Sequence, residues 1–96
     1  MMQPAGMKPF TIRKAVKEDV PVILEFIKKL AEYERLSHEV VATVADLERY
    51  LFGDEKVAEV VIGFEEDLPV GFALFFHNFS TFLGKPGIHL EDLFVL

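Results

Sequence analysis

A change of hydrophobic period divides this chain and limits what it can fold into. From about Glu18 the apolar residues Val20, Ile23, Leu24, Ile27, Leu30 and Ala31 recur at helical spacing, with Glu25, Lys28, Lys29 and Glu32 on the opposite side. Pro21 falls in the first turn, where its missing N–H costs nothing. From Val57 onward the pattern changes. Val57 to Phe64 and Val70 to Phe76 are β-branched and apolar, with the polar turn Glu65-Glu66-Asp67-Leu68-Pro69 between them, and they predict an antiparallel hairpin. Phe10 to Arg13 alternates as a short first strand. Thr43 with Asp46 three residues on resembles a capping box and starts a second, shorter helix bearing Leu47, Tyr50 and Leu51, with Gly53 suited to a left-handed position past its end. Phe79 to Gly87 reads as a loop punctuated by Gly84 and Pro86-Gly87, and Ile88 to Leu96 as a fourth strand. The predicted order is β-α-α-β-β-β, an α+β domain with a mostly antiparallel sheet.

Ninety-six residues suffice for one small domain with a modest core. Residues 1–9 lack the basic start and apolar core of a signal peptide and read as a leader outside the fold; residues 10–96 form the domain. A net charge of −6, with no basic cluster longer than Lys28-Lys29, argues against nucleic acid as a partner. No window approaches the roughly 20 apolar residues of a membrane span, so no membrane partner is expected. Without cysteine there is no disulfide framework, thiolate nucleophile or Cys-type zinc site, and the cytoplasm is the favoured location. His38, His77 and His89 lack metal-ligand spacing, and no metal is expected. The phenylalanines from Phe72 to Phe82 read as core and loop packing.

The run Ile88-His89-Leu90-Glu91-Asp92-Leu93-Phe94-Val95-Leu96 sets two adjacent carboxylates inside an apolar strand. Taking a carboxylate out of water costs several kcal/mol unless it is paired, hydrogen-bonded or protonated, so Glu91 and Asp92 are candidates for chemistry. The bland alternative is a strand acid facing solvent. Likewise Glu34 can be a solvated residue at a helix end, and Tyr33 a core aromatic with its hydroxyl at the surface.

Several segments, in order and at the right separations, carry a family likeness: Ile12-Arg13-Lys14-Ala15 before Glu18-Asp19, Leu30-Ala31-Glu32-Tyr33-Glu34, Leu51-Phe52-Gly53, Val70-Gly71-Phe72-Ala73, and Leu90-Glu91-Asp92-Leu93-Phe94-Val95. With them the chain resembles the amino-terminal half of a GNAT-superfamily N-acetyltransferase, in the diamine and thialysine branch, from Phe10 onward. The resemblance implies transfer of an acetyl group from acetyl-CoA to a primary amine. It implies Glu91 as the acid that, through water, helps remove the amine proton. Tyr33, Glu34 and Asp92, with Glu91, would contact the cationic substrate. Leu93, Phe94 and Val95 would hold the pantetheine arm and polarise the thioester carbonyl through backbone N–H groups.

The family's pyrophosphate-binding loop, expected directly after this strand, lies outside these 96 residues. The chain by itself is therefore expected to be inactive and impaired in acetyl-CoA binding. Ser80-Thr81-Phe82 resembles thialysine-type more than polyamine-preferring relatives. The rival expectation is a non-catalytic amine-binding or self-associating module. A homodimer is expected in either case, formed through the open strand Ile88–Leu96.

Overall fold

The computed structural model describes residues 9–96; the predicted leader lies outside them except for Pro9, whose carbonyl accepts a bond from the Glu66 N–H. Strand β1 (Phe10–Lys14) leads into a 3₁₀ turn at Lys17–Asp19 and then helix α1 (Val20–Tyr33). The entry to α1 is fixed by Asp19. Its carboxylate accepts from the Val16 N–H at 2.7 Å and from both terminal nitrogens of Arg13 at 2.7 and 3.0 Å. Arg13 also lies over the Phe64 ring at 4.7 Å, so one cation ties β1, the helix start and the sheet together.

The predicted capping box is present. Thr43 Oγ1 accepts from the Asp46 N–H at 3.1 Å, and Asp46 accepts from the Thr43 N–H at 2.9 Å, starting α2 (Val44–Leu47). That helix is shorter than its apolar stripe suggests, passing into one wider π turn at Glu48–Phe52. Gly53 does not take the predicted left-handed conformation; its backbone is extended. Glycine is needed there for space, since a Cβ would sit 2.8 Å from the Arg49 carbonyl oxygen.

Strands β2 (Glu59–Glu65), β3 (Leu68–Ser80) and β4 (Lys85–Val95) complete a four-stranded antiparallel sheet in the order β1-β2-β3-β4. The β2–β3 hairpin is as predicted, with a tighter turn: Glu65 pairs with Leu68, and Glu66 takes the left-handed conformation. The predicted loop Phe79–Gly87 is mostly strand. Pairing runs out to Ser80↔Lys85, leaving only Thr81–Gly84 as the turn, with Gly84 at φ +66. Pro86 is tolerated because β4 is an edge strand, where a missing N–H need not remove a ladder bond.

The strands alternate except at register shifts beside Gly63 and Leu74, so the two faces of the sheet can be read from the pairing. One face carries Val60, Ile62 and Phe72 and packs on Val20, Ile23 and Phe26 of α1 and on Leu47 and Leu51; together these are the core. Phe26 stacks on Phe72 with centroids 5.8 Å apart and planes within 8°. The other face, with Phe10, Ile12, Val61, Ala73, Leu93 and Val95, has no helix over it among the described residues and encloses an apolar hollow of about 110 Å³. Of the phenylalanines predicted as packing, Phe72 is buried, whereas Phe79 and Phe82 are exposed.

Candidate active site

Helix α1 ends in a Schellman turn: the Leu36 N–H bonds back to the Ala31 carbonyl at 2.7 Å and the Arg35 N–H to that of Glu32 at 3.0 Å. Arg35 occupies the left-handed position, φ 61, that glycine usually fills. This turn places Tyr33 on the last helical residue and Glu34 at the cap. It then sends Leu36 to Val40 back along the helix end, through a 3₁₀ turn at Ser37–Glu39. Ile27, Leu30, Ala31, Leu36 and Val40 line a cleft of about 190 Å³ here, into which Glu34, Glu39 and Asp92 also face.

Asp92 reaches this cleft because of a defect in the β3–β4 ladder. Leu74 pairs with Asp92 and Phe75 with Leu90, so Glu91 is the extra residue of a β-bulge. The bulge resets the alternation. Beyond it Asp92 and Phe94 lie on the helix side, while before it His89 does, ring to ring with Phe76 at 4.7 Å. Glu91 is exposed and Asp92 half-buried, and no charged side chain among the described residues is fully buried. The premise that this strand buries its acids is therefore corrected: the bulge turns one acid to water and sets the other at a cleft wall.

Burial first, then the charges of Glu91 and Glu34, push the Asp92 carboxyl above its usual range. None of the side-chain carboxylates of Glu34, Glu39, Glu91 and Asp92 has an ion-pair or hydrogen-bond partner among the described residues, unlike those of Asp19, Glu25, Glu55 and Glu59, which all have cationic partners. The cleft is thus a negative, apolar-floored space without its own cation. Tyr33, 83% exposed, stands outside the lining at the end of the same helix. The sequence reading did not include Glu39, which is brought in by the Schellman reversal; no glycine marks that turn.

The three residues expected to hold an acyl donor divide by orientation. The Leu96 N–H bonds inward to the Val70 carbonyl at 2.8 Å. In an antiparallel ladder inward and outward groups alternate, so Phe94 also faces β3, and Leu93 and Val95 present their N–H groups to the open edge. The Phe94 ring packs on Phe26 at 5.9 Å, which makes its side chain part of the core margin. Among the described residues, no group of His, Asp and Glu is arranged to hold a metal ion.

No family model matches the chain. Over 90% of its length it superposes on an aminoglycoside acetyltransferase from a soil metagenome with a TM-score of 0.70 at 17% identity, covering 55% of that protein. It also superposes on an integron cassette protein of V. cholerae at 0.64 and 24% identity, covering 57%. The fold is part of the GNAT N-acetyltransferase fold. In sequence it is 34% identical over 93 residues to the thialysine N-epsilon-acetyltransferase of Mus musculus, matching 88% of this chain and 54% of the relative. It is 29% identical to an L-ornithine N5-acetyltransferase of Arabidopsis thaliana, matching 96% of this chain and 60% of the relative. A 36% match covers 98% of this chain but 14% of the human spermidine/spermine N(1)-acetyltransferase-like protein 1. The chain thus spans between a seventh and three-fifths of the length of these curated relatives, and what it shares with them is sequence similarity to N-acetyltransferases together with part of the GNAT fold.

Proposed function

We propose that this chain carries the amine-binding side of an acetyl-CoA-dependent N-acetyltransferase whose substrate is a diamine, polyamine or thialysine-like primary amine. The observation that carries this reading is the cleft in which Glu34, Glu39 and Asp92 surround an aliphatic floor with no internal cation. An alkyl amine matches it: methylenes on Ile27, Leu30 and Ala31, ammonium groups at the acids. Glu34 and Asp92 supply charge attraction, and Tyr33 an aromatic face at the rim.

An ammonium cannot attack a carbonyl, so one proton must leave first. Glu91 is exposed beside Asp92 and takes that proton through water. Acetyl-CoA supplies the acyl group. The outward N–H groups of Leu93 and Val95 stand where a carbonyl oxygen laid along the open edge would gather charge, and Phe94 acts by packing. Two outward backbone N–H groups on an exposed edge are few contacts for a ligand as large as acetyl-CoA, so the 96 residues by themselves bind it weakly. Calorimetry with acetyl-CoA tests this; micromolar binding would refute it.

Roles separate in a chimera that continues this chain with the uncovered part of the mouse relative. Glu91→Gln lowers turnover and moves the acidic limb of the pH–rate profile, whereas Glu34→Gln chiefly raises the amine KM. An unchanged pH profile for Glu91→Gln would take it out of the proton path. A second reading, self-association through β4, is favoured by its open edge and by the exposure of Leu90, Leu93 and Val95. The absence of cysteine fits the cytoplasm as location, and no described helix is long and apolar enough to cross a membrane.

A further inference from the structure

Three elements each set one acid on the cleft, and none sets a cation there. Glu34 caps α1, Glu39 ends the 3₁₀ turn at Ser37–Glu39, and Asp92 follows the bulge on β4. The lining holds no lysine, arginine or histidine. The three acids are not equivalent. The charges that act on Asp92 are those of Glu91 and Glu34; Glu39 lines the same cleft yet is not among them, which sets it at the end away from β4. The floor is aliphatic, formed by Ile27, Leu30 and Ala31. A volume of about 190 Å³ holds roughly six groups the size of a water molecule, at about 30 Å³ each.

We propose that this cleft selects against carboxylate: it takes an unbranched diamine of about five carbons, and Glu39 is the residue that rejects basic amino acids, whose second ammonium stands beside a carboxylate. This rests on the amine reading proposed above and narrows it, because that reading admits diamines and thialysine-like amino acids alike. The reacting ammonium lies at Asp92 and Glu34, next to Glu91. The methylenes cover the floor, and the second ammonium meets Glu39.

Charge and size both argue for this selection. At the far end a diamine offers only a cation, whereas an amino acid offers an ammonium and a carboxylate on one carbon. What Glu39 gains from the first it loses against the second. A bound carboxylate also needs donors in place of its water, which an arginine fork supplies elsewhere in proteins. Here the far end offers an acid. Arg35 and His38 flank the segment in sequence, but neither lines the cleft. Finally, a five-carbon diamine already fills the space, and a carboxylate adds bulk at the end where Glu39 stands.

Cadaverine and lysine differ by a single carboxylate, and n-pentylamine lacks the second ammonium. The 96-residue chain is titrated with each, up to about 50 mM at neutral pH and low salt, where exposed charges are least screened. Carboxyl-detected NMR of Glu34, Glu39 and Asp92 reads binding. Cadaverine is expected to bind at least tenfold more tightly than lysine and several-fold more tightly than n-pentylamine. Glu39→Gln, an isosteric change at an exposed position, should bring the cadaverine-to-lysine ratio below about threefold. Glu25→Gln removes the same charge from the outer side of α1 and should leave that ratio unchanged. If no amine moves any of the three carboxyls, the amine reading fails and the selection fails with it. If cadaverine and lysine bind equally well, the amine reading stands and the selection is overturned. A ratio unchanged by Glu39→Gln, or lowered as much by Glu25→Gln, would overturn the role of Glu39.

Discussion

The two faces of the sheet come from the same strands and similar side chains, yet one is a core and the other is open. On the helix side Ile62 is fully buried beneath Ile23 and Phe26. One residue away along β1 and β4, Ile12, Leu93 and Val95 are mostly exposed. Alternation creates both faces, and among the described residues α1 and the segment after it lie over one of them. Both faces meet at β4, where the bulge at Glu91 directs Asp92 to the closed side and Leu93 to the open one. An acid at a cleft wall and outward N–H groups at an edge are thereby set within three residues of each other.

The sharpest way to break this comparison is truncation on each face. Ile62→Ala removes side-chain volume from a site with no room to relax, and about 3 kcal/mol of stability should be lost. Leu93→Ala and Ile12→Ala should each cost under about 1 kcal/mol in the monomer. Urea denaturation of the dilute chain reads all three. Comparable losses on the two faces would mean that the helix-free face is closed in solution by something other than a second copy. Gly71→Ala probes the boundary between them: a Cβ there would lie 2.6 Å from the Phe94 carbonyl oxygen, so β4 must move away from β3. A cost of about 2 kcal/mol follows, together with faster amide exchange along β4.

Local devices on the helix side should move stability less. Thr43→Ala deletes the acceptor for the Asp46 N–H and should cost about 1 kcal/mol. Arg35→Gly should act in the opposite direction. Arg35 is held at φ 61, a conformation costing an L-residue roughly 1–2 kcal/mol, and part of that is recovered with glycine, offset by its looser unfolded chain. A destabilised Arg35→Gly, measured by thermal melting, would show that the arginine side chain holds the cleft turn by contacts that outweigh its backbone strain.

Legibility followed the range of the interactions. α1, the Thr43–Asp46 box and the β2–β3 hairpin were readable because each is set by residues a few positions apart. The outer β3–β4 hairpin was not: Gly84, Pro86 and Gly87 signal a loop locally, and only pairing across to Asn78 and Phe79 makes Lys85–Gly87 strand. Nor was the bulge, which exists only as a mismatch between two strands and decides where Glu91 and Asp92 point. Glu39 joins the cleft through a reversal at Arg35 that carries no glycine signature. The acids themselves were legible as types, while their exposure required the register.

The smallest predicted effect tests the cleft most directly, because two acids on the helix side should respond to pH with opposite signs. Asp19 has its carboxyl lowered, chiefly by the hydrogen bond from Arg13. Its contribution is present above the unfolded value of about 3.9 and is lost as pH falls through the lower folded value. Asp92 is raised, chiefly by burial. Its contribution is full below about 3.9 and is lost as pH rises through the higher folded value, so at neutral pH the charged Asp92 is a liability. Asp19→Asn should therefore lower the urea midpoint at pH 7 and matter little at pH 3, whereas Asp92→Asn should raise it slightly at pH 7 and lose that advantage at pH 3. A diamine bound among Glu34, Glu39 and Asp92 would favour the charged carboxylate and bring the Asp92 titration back down, which carboxyl-detected NMR would resolve. If a millimolar diamine leaves the Asp92 midpoint unmoved, the cleft does not hold amines and the unpaired acids are a solvated surface.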